Sequence, residues 1–125
     1  MKLLSITFAL ILIHLSFSNK ATKTSDCVIT VTPELSIENA DKLYITSNCT
    51  MHNFHFAIYD RWGELMYESK RFTEPMDLDI TEKIKSGKKY KFKSGETYFW
   101  SLKFQESQIV HKAPTISNSG NLIIK

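Results

Sequence analysis

The chain has 125 residues, a formal net charge of +3, 12% aromatic residues and two cysteines. Its length supports one domain, and its supply of aromatic and β-branched residues excludes a disordered chain. So mild a positive excess gives no reason to expect a nucleic-acid partner.

Lys2 opens the chain, and an apolar run from Leu3 to Phe17 follows it without an acid, a Lys or an Arg. A bilayer span needs about 20 apolar residues. The run is shorter, polar residues follow at once, and small residues stand at Ser16 and Ser18. It reads as a secretory signal peptide over residues 1–18, cut before Asn19, with an uncleaved anchor as the alternative. No second apolar stretch appears, so no stable membrane insertion is expected once the signal is removed. Residues 19–26 carry no pattern and read as a flexible leader, which leaves 27–125 as the domain.

Strand signals then come in quick succession. Cys27 to Thr32 is dense in β-branched residues and stops at Pro33, which cannot donate to a ladder. Leu43 to Thr46 is a second short strand. From Asn53 to Tyr59 the residues alternate, with Phe54, Phe56 and Ile58 on one face and His55 and Ala57 on the other. Asp60-Arg61-Trp62-Gly63 is a turn in which Gly63 supplies a positive φ, and Glu64 to Glu68 returns as the partner strand. Asp77 to Gly87 holds at most a short helical turn. Thr97 to Phe104 places Tyr98, Trp100, Leu102 and Phe104 on one side, Ile109-Val110 continues the series, and Leu122 to Ile124 is the last strand. About seven short strands separated by turns predict an all-β, antiparallel, immunoglobulin-like β-sandwich.

Cys27 and Cys49 are the only cysteines. An even count in an exported chain favours a disulfide, the alternative being two buried thiols; they lack the short ligand spacing of a zinc site. No catalytic set is legible. His52 and His55 fall on opposite faces of a strand, His111 is isolated, and no serine sits in a glycine-flanked elbow. We therefore expect no enzyme, no cofactor and no metal. Asp77, Asp79 and Glu82 form the densest acidic cluster, but no glycine shapes a calcium loop there, and solvated charges are the expected reading. Asn48-Cys49-Thr50 meets the glycosylation pattern only formally. Over Lys89 to Lys93 the alternation turns Tyr90 and Phe92 inward and Lys89, Lys91 and Lys93 outward. Those three lysines are either a stripe for an acidic glycan or the charged guard of an edge strand.

The run Phe56-Ala57-Ile58-Tyr59-Asp60-Arg61-Trp62-Gly63-Glu64-Leu65-Met66-Tyr67-Glu68-Ser69 resembles the I-Y-N-R-W-G-E-x-V-F-E-S core of the gliding motility-associated C-terminal domain family. Three further stretches resemble family elements in the expected order. Thr32-Pro33 with Asn39, Asp41 and Leu43 is similar to the T-P-N-G-D-G-x-N-D-x-F opening, and Gly95 to Lys103 to the G-T-Y-F-Y-x-L-K strand. Gly120-Asn121-Leu122-Ile123-Ile124-Lys125 is similar to the G-x-V-x-L-I-R terminus. Glu34 to Glu38 stands where the family has the N-G-D-G glycines, and the lysine-rich segment stands where it has W-D-G.

The resemblance implies an immunoglobulin-like sandwich from exported Bacteroidota proteins, acting as a type-B sorting signal read by the type IX secretion machinery. It implies passage through the periplasm and then delivery to the cell surface or medium. Its partners would be the secretion machinery or surface proteins, and its marked positions Tyr59 to Glu64 and the terminal strand through Gly120, Leu122, Ile124 and Lys125. On physical grounds alone, Trp62 is expected to close one end of the sandwich core, with direct receptor contact as the alternative. Only the short leader precedes the domain, so no cargo is expected. The competing reading is a secreted binding module whose lysine-rich edge strand takes an acidic glycan or surface polymer.

Overall fold

The computed structural model describes residues 27–84, 89–106 and 114–125. The expected signal peptide, the leader, Ile109-Val110 and His111 lie outside them. Seven strands are present and no helix is found among the described residues: β1 (Ile29–Val31), β2 (Glu34–Leu35), β3 (Ile45–Ser47), β4 (His52–Tyr59), β5 (Leu65–Ser69), β6 (Thr97–Gln105) and β7 (Ile116–Ile124).

β1 and β3 form a two-stranded antiparallel sheet; the other five strands form a second sheet in the order β2-β7-β6-β4-β5. All pairings are antiparallel except the two-residue contact of β2 with β7, which is parallel. The large sheet buries one face through Phe54, Phe56, Ile58, Tyr98, Leu102, Phe104, Leu122 and Ile124. This is the period of two that the alternation in β4 and β6 predicts. The opposing layer is built differently. Only Val31 and Ile45 come from the small sheet, and Leu43, Met76, Leu78, Ile80 and Phe92 come from chain outside any named strand. Met76 N–H is hydrogen-bonded to Leu43 O at 2.9 Å, which ties that chain to the small sheet's rim.

The expected disulfide is formed. Cys27 and Cys49 are joined with a sequence separation of 22, just before β1 and just after β3. The Asp77 to Gly87 stretch has no helix within its described part, and Glu82 N–H reaches Asp79 O in a single turn.

Two local features explain how the sheet closes. Between β4 and β5 the register shifts after Ile58, so that Ile58 pairs with Tyr67 while Tyr59 pairs with Leu65. The skipped residue, Met66, and its neighbour Tyr67 both pack against the core, as a β-bulge permits. On the far side of the sheet, Gly120 pairs with Trp100. A Cβ on Gly120 would lie 2.6 Å from the Trp100 ring, so the indole lies over bare backbone while stacking on Phe56 at 6.2 Å. Gly120→Ala is expected to cost about 1–3 kcal/mol by overpacking. Urea unfolding would read the loss, and the near-UV dichroism of Trp100 would change with it. An unaltered midpoint would show that the indole swings aside freely.

The loop that stands in place of the family glycines closes by other means. Asp41 Oδ2 accepts the Ser36 N–H at 2.8 Å, Asp41 N–H reaches Ser36 O at 3.1 Å, and Ala40 takes a φ of 51°. A tight turn is kept without Gly.

Candidate functional site

The turn between β4 and β5 is defined by one carboxylate. Asp60 Oδ1 accepts the N–H of Trp62 at 2.8 Å and of Glu64 at 2.9 Å. Gly63 N–H reaches Asp60 O at 3.0 Å, and Asp60 N–H reaches Glu64 O at 2.9 Å. With Gly63 at φ 80°, this is a type I turn followed by a glycine bulge, and only a residue tolerant of positive φ fits the last position.

That geometry puts Arg61 and Trp62 at the two central, outermost places. Both are exposed, Trp62 by 80%. The expectation that Trp62 closes one end of the core is therefore corrected, because a central turn position points away from both sheets. The indole is instead paired locally: the Arg61 guanidinium carbon lies 5.1 Å from its ring centroid. Tyr59, the last residue of β4, and Glu64, just ahead of β5, flank the turn, Tyr59 half-buried and Glu64 exposed.

The lysine segment lies beside this tip. It belongs to neither sheet and is held by one antiparallel bridge, Lys83 to Tyr90. Ile84 N–H to Lys89 O at 2.9 Å and Lys91 N–H to Glu82 O at 3.0 Å complete the pairing. Phe92 is buried as expected, but Tyr90 is 38% exposed, with the Lys83 ammonium 5.7 Å above its ring. The chain bends at Lys91 and Phe92, so the alternation of an edge strand does not carry through. The bend also divides the three lysines. Lys89 and Lys93 line a groove of about 800 Å3 with Ile37, Tyr90 and Lys125. Lys91 and Lys93 line a smaller cleft with Arg61 and Trp62. The structure thus brings the hairpin and part of the lysine stripe together, a juxtaposition that neither motif announces alone.

The remaining candidate residues are dispersed. Gly120 lies under Trp100, Leu122 and Ile124 are core residues, and Lys125 Nζ pairs with Glu34 at 2.6 Å. His55 is 3.2 Å from Glu68 across the strands, and a register shift separates it from His52. The acidic cluster is split between partners: Asp77 accepts from the Tyr67 hydroxyl, while Asp79 Oδ1 accepts from Thr81 N and Oγ1. The Thr81 hydroxyl and N–H hold the Asp79 carboxyl below its usual range. Among the described residues, the one close grouping of metal-type donors is Cys27, Cys49 and Glu106. Its two sulfurs are spent in the disulfide and have no thiolate to give.

Burial, and then the Asp77 carboxylate, push the Tyr67 hydroxyl up to about 12. Burial likewise raises Tyr98. For an acid whose folded pKa is raised, the folded state holds its proton longer, so stability is full below pH 10 and falls as pH rises towards 12. Alkaline unfolding is therefore expected in that window, with a shallower pH slope in Tyr67→Phe. A slope unchanged by the substitution would remove Tyr67 from the account.

A family model described as the CHU_C Type IX secretion signal domain matches residues 27–117. This chain belongs to that family. The match covers the disulfide, the hairpin and β6, and stops within β7, ahead of the Gly120–Lys125 terminus. No curated protein and no solved structure gives a significant match. Membership in the Type IX secretion signal domain family carries the general role of a sorting signal. Such a domain engages the secretion machinery and directs export toward the cell surface or the extracellular space. It agrees with the resemblance read from the hairpin, and within the family this chain presents its Arg61–Trp62 tip to solvent.

Proposed function

We propose that this chain is a non-catalytic, exported sandwich that the type IX secretion machinery reads through the hairpin tip. In this reading a signal peptide ending at Ser18 delivers the chain to the periplasm. The folded domain, immunoglobulin-like in its two-layer plan, is then passed across the outer membrane.

The observation that carries the reading is Trp62. A large aromatic left 80% exposed gains nothing for the core, and it stands beside an arginine on a turn fixed by Asp60. Trp and Arg side by side on a rigid protrusion are the residue types that dominate protein–protein binding energy. The test is a fusion of Asn19–Lys125 behind a signal peptide to a reporter protein. In a strain with working type IX secretion the reporter is expected at the surface or in the medium. Retention in the periplasm would refute the proposal.

The glycan reading has one observation in its favour, the partly exposed Tyr90 between Lys89 and Lys93 on the larger groove.

A further inference from the structure

The small cleft beside the tip has a volume of about 110 Å3 and is lined by three cations, Arg61, Lys91 and Lys93, by two acids, Asp60 and Glu96, and by Trp62, Met66 and Tyr98. Its charges are not equivalent. Asp60 turns one carboxylate oxygen, Oδ1, to the Trp62 and Glu64 N–H groups of the tip. Arg61, Lys91 and Lys93 make no ion pair with any described residue. Three cations thus face two acids across the cleft, which leaves one positive charge in excess, and one of the acids is turned toward the backbone of the tip.

Both walls are fixed before any ligand arrives. The hairpin wall is held by the Asp60 cap. The other is held by Lys91 N–H to Glu82 O at 3.0 Å and by Lys93 N–H to the Tyr98 hydroxyl at 2.9 Å. Walls ordered in advance reduce the entropy lost on binding.

We propose that this cleft takes a carboxylate side chain from an acidic segment of a protein partner, with an apolar neighbour of that segment laid against the Trp62 indole. The inference rests on the reading of the tip as the recognised surface. In this cleft, as distinct from the larger groove at Tyr90, size favours a peptide over a glycan. The cleft holds about four water volumes, room for a carboxylate-bearing side chain and not for a row of sugar rings. An indole beside the cations also suits a segment that mixes acidic and apolar residues.

The probe is a dye-labelled peptide Gly-Glu-Glu-Phe-Glu-Glu-Gly, with its Gln-for-Glu counterpart and an oligogalacturonate as comparators. Fluorescence anisotropy is read with the exported, disulfide-bonded protein. The Glu peptide is expected to bind about ten-fold more tightly than the Gln peptide, with the advantage shrinking as salt rises. Arg61→Gln, Lys91→Gln and Lys93→Gln together are expected to remove that advantage. Lys42→Gln, Lys70→Gln and Lys103→Gln, a control of equal charge loss at exposed sites, are expected to retain it. Near-UV dichroism establishes that both variants are folded. Equal affinity for the two peptides, an equal loss in the control, or tighter binding of the oligogalacturonate would each overturn the inference.

The reporter fusion separates this outcome from that of the sorting reading. Export without peptide binding defeats the cleft and leaves the sorting reading standing. Binding by a protein whose fused reporter stays in the periplasm keeps the cleft and defeats the sorting reading.

Discussion

Replacing Arg61 and Trp62 together with alanine is expected to hold a fused reporter in the periplasm while the domain stays folded. Neither side chain is part of the core: both project from the central positions of the turn, where substitutions usually change stability by about 0.5 kcal/mol or less. The turn itself survives, because its hydrogen bonds run to backbone N–H groups and to the carboxylate of Asp60. What is lost is the paired guanidinium and indole. Truncating an interface residue of this kind costs about 2 kcal/mol or more, so two of them should lower recognition by roughly a thousand-fold if their effects add. The measurement is the ratio of reporter in medium and periplasm, alongside a thermal melt. Export at the wild-type level by the folded double variant would show that the tip is not what is read.

The second large effect concerns the small sheet. Changing Cys27 and Cys49 to serine opens a loop whose ends are 22 residues apart, which should cost about 3 kcal/mol. A domain of this size has a total stability of about 5–15 kcal/mol, and the loss should lower the melting temperature by roughly 12–24 °C. The bond matters because β1 and β3 are three residues each and form a sheet of only two strands. A pair so short is marginal without support. Calorimetry of the double serine variant would settle the matter, and a melting temperature within a few degrees of the parent's would mean that core packing alone holds the sheet.

How much of this was legible in the amino-acid order depends on periodicity. β4 and β6 were readable because each buries one face and exposes the other, so Phe54-Phe56-Ile58 and Tyr98-Trp100-Leu102-Phe104 announce themselves. The opposing layer was not, because Met76, Leu78, Ile80 and Phe92 sit on irregular chain outside any named strand. β2 is two residues directly after a proline, too short to carry a pattern. Trp62 shows a different failure. Its size and apolarity suggested the core, yet Asp60 and Gly63 at the first and fourth places of a turn already direct the two residues between them outward. The signal was present in the spacing and was outweighed by residue type. The cleft was not legible at all. Arg61 and Lys91 are far apart along the chain, and only the fold places them on one surface.

The last strand in chain order is an interior strand of the large sheet, flanked by β6 and β2. Its end is also tied to the turn that follows the lysine segment: Gly95 N–H reaches Ile124 O at 2.7 Å, and Ile124 N–H reaches Glu96 O at 3.0 Å. Glu96 lines the cleft, so this part of its rim is anchored only once β7 has paired. The hairpin is local and can close early, but the complete recognition surface is a late product of folding. A receptor that requires both walls would pass over a chain truncated before Ile124, or one still threading through the membrane, and would thereby act as a check on completeness.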